Sequence, residues 1–179
     1  MIGMRTITGA SWLVVILPLV FAGSVRAAEK PPAVTGFELP RYLGRWYEIA
    51  RLPNPFEKGL VNVTATYSMR DDGLVKVVNE GDKGVGGKHT VATGRAKFVE
   101  GPEVARLKVT FFWPFYGDYR VVELDREGYG YALVVSGTKY LWILSRTPVL
   151  DQAVVEELLA KGVSLGFDTR ELIMTPQTW

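Results

Sequence analysis

The chain has 179 residues, enough for one domain with a substantial core, and carries 21 Lys and Arg against 19 Asp and Glu. Residues 1–28 hold two of the basic side chains (Arg5, Arg26) and no acid, so the rest is neutral at 19 against 19, with no electrostatic case for nucleic-acid binding. There is no cysteine, which removes thiolate chemistry, disulfides and Cys-type zinc sites, and the single histidine, His89, lies in a polar stretch that predicts a surface position, so neither a catalytic nor a metal site is expected.

In chain order, a charged start (Met1–Arg5), an almost wholly apolar run (Ser11–Ala22) and a Val25-Arg26-Ala27 step read as a secretory signal over 1–28. The run is short for a membrane span and contains Pro18. The mature domain then covers 29–179. Gly44-Arg45-Trp46-Tyr47-Glu48-Ile49-Ala50-Arg51 opens an alternating strand, with a glycine free to turn sharply and a tryptophan whose N–H needs a partner if buried. Val61–Met69 alternates without a fault, and Arg70-Asp71-Asp72-Gly73 turns it back into Leu74–Glu80. Further strands are predicted at His89–Phe98, Ala105–Phe111, Asp118–Leu124, Tyr131–Val135 and Tyr140–Ser145. One helix is predicted at Gln152–Lys161, capped by Asp151, ended by Gly162, and striped by Val154, Val155, Leu158 and Leu159. Asp168–Met174 follows as a short extension.

Eight strands with short connections predict an all-β protein, an eight-stranded antiparallel up-and-down barrel with one C-terminal α-helix packed on its outside. A barrel of that size is either filled by side chains or holds one small ligand. Ala92, Gly94, Ala96 and Ala105 favour open space, and Tyr67, Phe98, Phe111 and Trp142 make it apolar. Phe111-Phe112-Trp113-Pro114-Phe115-Tyr116 holds too many aromatics for one inward face, so some belong at a mouth or on the surface. The loop Leu52–Leu60, with Phe56 at its tip, is placed as a lid. The candidate ligand-binding residues are therefore Phe56, Tyr67, Phe98, Phe111, Trp113, Tyr116 and Trp142, with Lys58, Tyr116 or Tyr119 meeting a head group at the mouth. Enzymatic turnover has almost no nucleophile–base material to work with. A protein-interaction module or homodimer built on Phe112, Trp113 and Phe115 is the alternative to small-ligand binding.

Gly44-Arg45-Trp46-Tyr47, Leu124-Asp125-Arg126 with Tyr131-Ala132-Leu133-Val134, and Tyr140–Pro148 resemble, in order, the three signatures of the lipocalins. The resemblance runs from about Pro40 to Met174 and implies a structural latch of Gly44, Trp46 and Arg146, the arginine lying over the tryptophan at the closed end of the barrel. Within the family, Glu57–Leu60, Thr64–Ser68 and Phe111–Gly117 look like the bacterial outer-membrane branch, near apolipoprotein D. That branch implies non-covalent binding of a fatty acid or lysophospholipid for membrane maintenance, with homodimers in some members and outer-membrane association; no cofactor is expected. Phe21-Ala22-Gly23-Ser24 reads like a lipobox with serine in place of the acylated cysteine, so a periplasmic protein without the anchor is expected.

Overall fold

Period-two alternation makes strands with unlike faces, and eight such strands in succession close on themselves and leave no free edge. The computed structural model describes residues 30–178, and the predicted leader, its cleavage step and the lipobox-like stretch lie outside them. A short helical turn, α1 (Leu39–Tyr42), leads into β1 (Gly44–Arg51). There follow β2 (Leu60–Met69), β3 (Val75–Lys83), β4 (His89–Phe98), β5 (Arg106–Phe112), β6 (Phe115–Leu124), β7 (Tyr131–Ser136) and β8 (Tyr140–Ser145). Each strand pairs antiparallel with the next, β8 pairs with β1, and β1 with β2, which closes the eight-stranded barrel. After helix α2 (Gln152–Ser164), a two-residue strand, β9 (Ile173–Met174), lies along the second half of β1, where β1 and β2 have separated.

Two apolar clusters form, one on each face of the barrel wall. Inside are Trp46, Tyr67, Val75, Val77, Leu107, Val121, Val134 and their neighbours. Outside, Leu133, Val135, Leu141 and Ile143 pack under α2 through Val155 and Leu158. Burying each of those two helix side chains contributes roughly 1.5–3 kcal/mol, which holds the helix to the wall.

Some boundaries differ from the sequence expectation, for local reasons. Gly162 does not end α2; it is buried inside the helix, where a Cβ would come within 2.9 Å of Leu141 Cδ1. The stop is Gly166, at φ +89, with its N–H donating to Val163 O at 2.9 Å and Phe167 N–H donating to Gly162 O at 3.1 Å. Pro114 interrupts only the turn, and the ladder resumes at once at Phe115. Ala105 does not line open space. It is fully buried, donating its N–H to Val34 O and accepting from Val121 N–H, so its small side chain admits the N-terminal segment.

Candidate functional site

By topology, the β1–β2, β3–β4, β5–β6 and β7–β8 connections share one end of the barrel, and α1 lies at the other. The α1 end is sealed. Trp46 is fully buried, its Nε1 donating to Tyr42 O at 2.8 Å, and the Arg146 guanidinium lies 3.9 Å above its ring. The same guanidinium donates to Arg45 O at 2.8 Å, Arg41 O at 2.7 Å and Tyr129 O at 3.3 Å, joining α1, β1 and the β6–β7 turn. Gly44 has φ +95 and a Cβ there would sit 3.4 Å from Arg146 Nη1, so glycine serves both the turn and the close approach.

Above this seal three phenols form a floor. Tyr119 shares hydrogen bonds with the hydroxyls of Tyr42 at 2.7 Å and Tyr67 at 2.8 Å. Burial pushes all three phenols up, Tyr67 to about 12, so the floor is neutral at physiological pH. Burial then falls toward the open end. In the β3–β4 ladder Val75 faces Ala96, Val77 faces Gly94 and Asn79 faces Ala92, all on the inward rows. Val75, Val77 and Ala96 are buried, whereas Ala92 is exposed although it faces inward. On β5 and β6, inward Val109 is half-buried and its partner Gly117 exposed. Solvent therefore enters the upper half of the barrel past small side chains. Asn79, beside Ala92, carries a buried Oδ1 with no hydrogen-bond partner among the described residues.

One wall of this upper half is polar. Glu48 and Arg51 on β1 are buried and ion-paired, and Thr175, just after β9, donates to Glu48 and accepts from Arg51. Arg51 also donates to Glu57 O at 2.8 Å and Leu60 O at 3.3 Å, tying the β1–β2 loop down. Burial, helped by the nearby Glu57 charge, pushes the Glu48 carboxyl up to about 8 against the opposing pull of Arg51 and Thr175. Glu57 Oε2 accepts from Asn54 Nδ2 and from Trp142 Nε1 at 2.9 Å, so the loop is bonded to the barrel interior.

The structure divides the sequence-predicted ligand residues into three groups. Trp142 is tied to the β1–β2 loop through Glu57, and Phe56, exposed on that loop, makes an edge contact with Tyr140 at 6.2 Å. Phe111 and Trp113 lie at the β5–β6 rim, where a Cβ on Gly94 would meet the Phe111 ring at 2.8 Å; Tyr116, next to inward Gly117, instead faces outward, with Lys97 Nζ 5.1 Å from its ring centre. Tyr67 belongs to the floor, and Phe98 lies at the sealed end, 6.2 Å from the Phe37 ring. Tyr119 is not at the mouth: its hydroxyl is held mid-barrel by Tyr42 and Tyr67. Sequence reasoning missed Glu48, Arg51 and Thr175. The available signal was Glu48 itself, two residues from Trp46 and therefore on the same inward face.

A family model for a lipocalin-like domain matches residues 37–177. The chain belongs to the lipocalin family. This lipocalin is 46% identical over 173 residues to the outer membrane lipoprotein Blc of Escherichia coli K12, covering 90% of this chain and 97% of the relative. It is 44% identical over 164 residues to the protein of the same name from Vibrio cholerae, covering 91% and 96%. Apolipoprotein D of Mus musculus is 34% identical over 157 residues, covering 82% and 80%. Among solved structures, insecticyanin from the tobacco hornworm Manduca sexta superposes with a TM-score of 0.68 at 22% identity, covering 85% of this chain and 87% of that one. That likeness supports the fold alone. Lipocalins bind small hydrophobic ligands.

Proposed function

We propose that this lipocalin binds, stores or carries a single-chain lipid, a fatty acid or lysophospholipid, in the upper half of its barrel. The observation that carries the reading is the exposure of inward-facing Ala92 and Gly117 above a sealed tyrosine floor. Each methylene buried there gains roughly 0.8 kcal/mol, so one acyl chain gains affinity from few polar contacts. The unpartnered Asn79 Oδ1 favours a ligand with a hydroxyl donor, as in the glycerol of a lysophospholipid. Binding without turnover is supported by His89, which sits on the exposed start of β4 with its Nδ1 2.8 Å from Asp82 and its Nε2 3.6 Å from Glu80. The likeness to proteins named outer membrane lipoproteins supports export and outer-membrane association, a setting in which a lipid carrier would serve membrane maintenance. With no cysteine in the chain there is no thiol to acylate, which favours a periplasmic protein that reaches the membrane without that anchor.

Lipid extracted from the purified protein and identified by mass spectrometry tests this. The expected result is a single-chain lipid at close to one per protein. Recovery of no lipid above a control protein would contradict it.

A further inference from the structure

The two ends of the barrel carry opposite charge. At the sealed end, the turns 70–74, 99–105 and 125–130 together with α1 and its flanks hold Glu38, Asp71, Asp72, Glu100, Glu103, Asp125 and Glu127 against Arg41, Arg45, Arg70, Arg126 and Arg146, a small acidic excess. At the open end, the loops 52–59, 84–88, 113–114 and 137–139 hold Lys58, Lys88 and Lys139. Their one acid is Glu57, whose Oε2 is taken by Asn54 and Trp142. None of the three lysines has an ion-pair partner among the described residues.

Large apolar side chains project between these lysines. Phe112 is 81% exposed, Trp113 74% and Phe115 78%, while Phe56 on the β1–β2 loop is 76% exposed and Val85 on the β3–β4 loop 75%. Soluble surfaces seldom display so many large apolar groups together, and their concentration at one end calls for a partner. Aromatic rings interleaved with lysines suit the interface of an anionic bilayer, where rings enter the head-group region and ammonium groups meet phosphates. A second copy docked mouth to mouth would bring two net-positive faces together, which opposes that arrangement.

We infer that the open end docks on anionic lipid surfaces, with the β5–β6 rim inserting and the loop lysines selecting negative head groups. The charge asymmetry turns the mouth toward the bilayer, and the acidic turns point away. This goes beyond lipid carriage and holds whether or not the barrel carries a ligand.

Flotation with vesicles tests it. The purified protein is expected to bind phosphatidylethanolamine–phosphatidylglycerol vesicles at least about tenfold more than phosphatidylcholine vesicles, a preference that shrinks at high salt. Phe112→Ser with Phe115→Ser is expected to lower binding at least about tenfold. Lys88→Glu with Lys139→Glu should abolish the preference. All four positions are exposed, and unchanged melting temperatures establish folding. The inference is overturned if the wild type shows no anionic preference, or if the aromatic variant floats like wild type. It is also overturned if that variant only converts a dimer to a monomer. A parallel titration with cis-parinaric acid separates the two readings: saturable binding without flotation leaves carriage standing and removes docking, and flotation without saturable binding does the reverse.

Discussion

Trp46→Ala is expected to lower the free energy of unfolding by about 3–5 kcal/mol, the largest loss for any single truncation at the sealed end. The indole is fully buried, packs 4.7 Å from the Tyr42 ring, and donates its N–H to Tyr42 O. Its removal leaves a cavity, orphans a carbonyl and takes away the surface on which Arg146 lies. For a domain of this size the melting temperature should fall by roughly 10 °C. Trp46→Phe keeps an aromatic face for the guanidinium and loses the N–H donor, so it should cost roughly 1–2 kcal/mol. Urea denaturation of the three proteins checks the order, and a Trp46→Ala protein within about 1 kcal/mol of wild type would refute the latch.

Arg51→Met is expected to destabilise by about 3–5 kcal/mol at pH 8.5 and by clearly less at pH 5, because it leaves Glu48 buried without its cation. In the wild type the Glu48 carboxyl is raised from 4.5 to about 8. Between those values the folded protein holds a proton that the unfolded chain has released. This group's contribution to stability therefore falls as pH rises through that window and levels off above it. Deleting Arg51 makes the ionised form costlier still, so the difference between variant and wild type should widen with pH. Glu48→Gln combined with Arg51→Met removes the ionisation and should recover part of the loss. Denaturation midpoints at both pH values decide the matter: an equal loss at each would mean that Glu48 and Arg51 are not coupled.

Both sites draw residues from the same run, 44–51, and complete themselves with distant ones, yet only the first was legible in the sequence. Gly44, Trp46 and Arg146 match a family signature, and the structure sets the guanidinium over the ring. Glu48 and Arg51 match no signature, and their partner Thr175 is 127 residues from Glu48. The strands were legible because period two marks two faces, but it gives no depth along the barrel. Gly117 and Tyr119 share the inward face two residues apart, about 7 Å along the strand, yet the first is exposed and the second belongs to the tyrosine floor. Gly162 failed as a stop signal because a missing Cβ serves a close approach to Leu141 as well as it serves a left-handed turn.

The central claim, that the upper half of the barrel holds the ligand, is tested most directly by filling it. Ala92 faces inward and is exposed, so Ala92→Phe occupies the space without disturbing buried packing. Titration with cis-parinaric acid should give one saturable site in the wild type and at least about tenfold weaker binding in Ala92→Phe, with the melting temperature unchanged. A wild type without saturable binding, or a variant that binds as tightly as the wild type, would contradict the account.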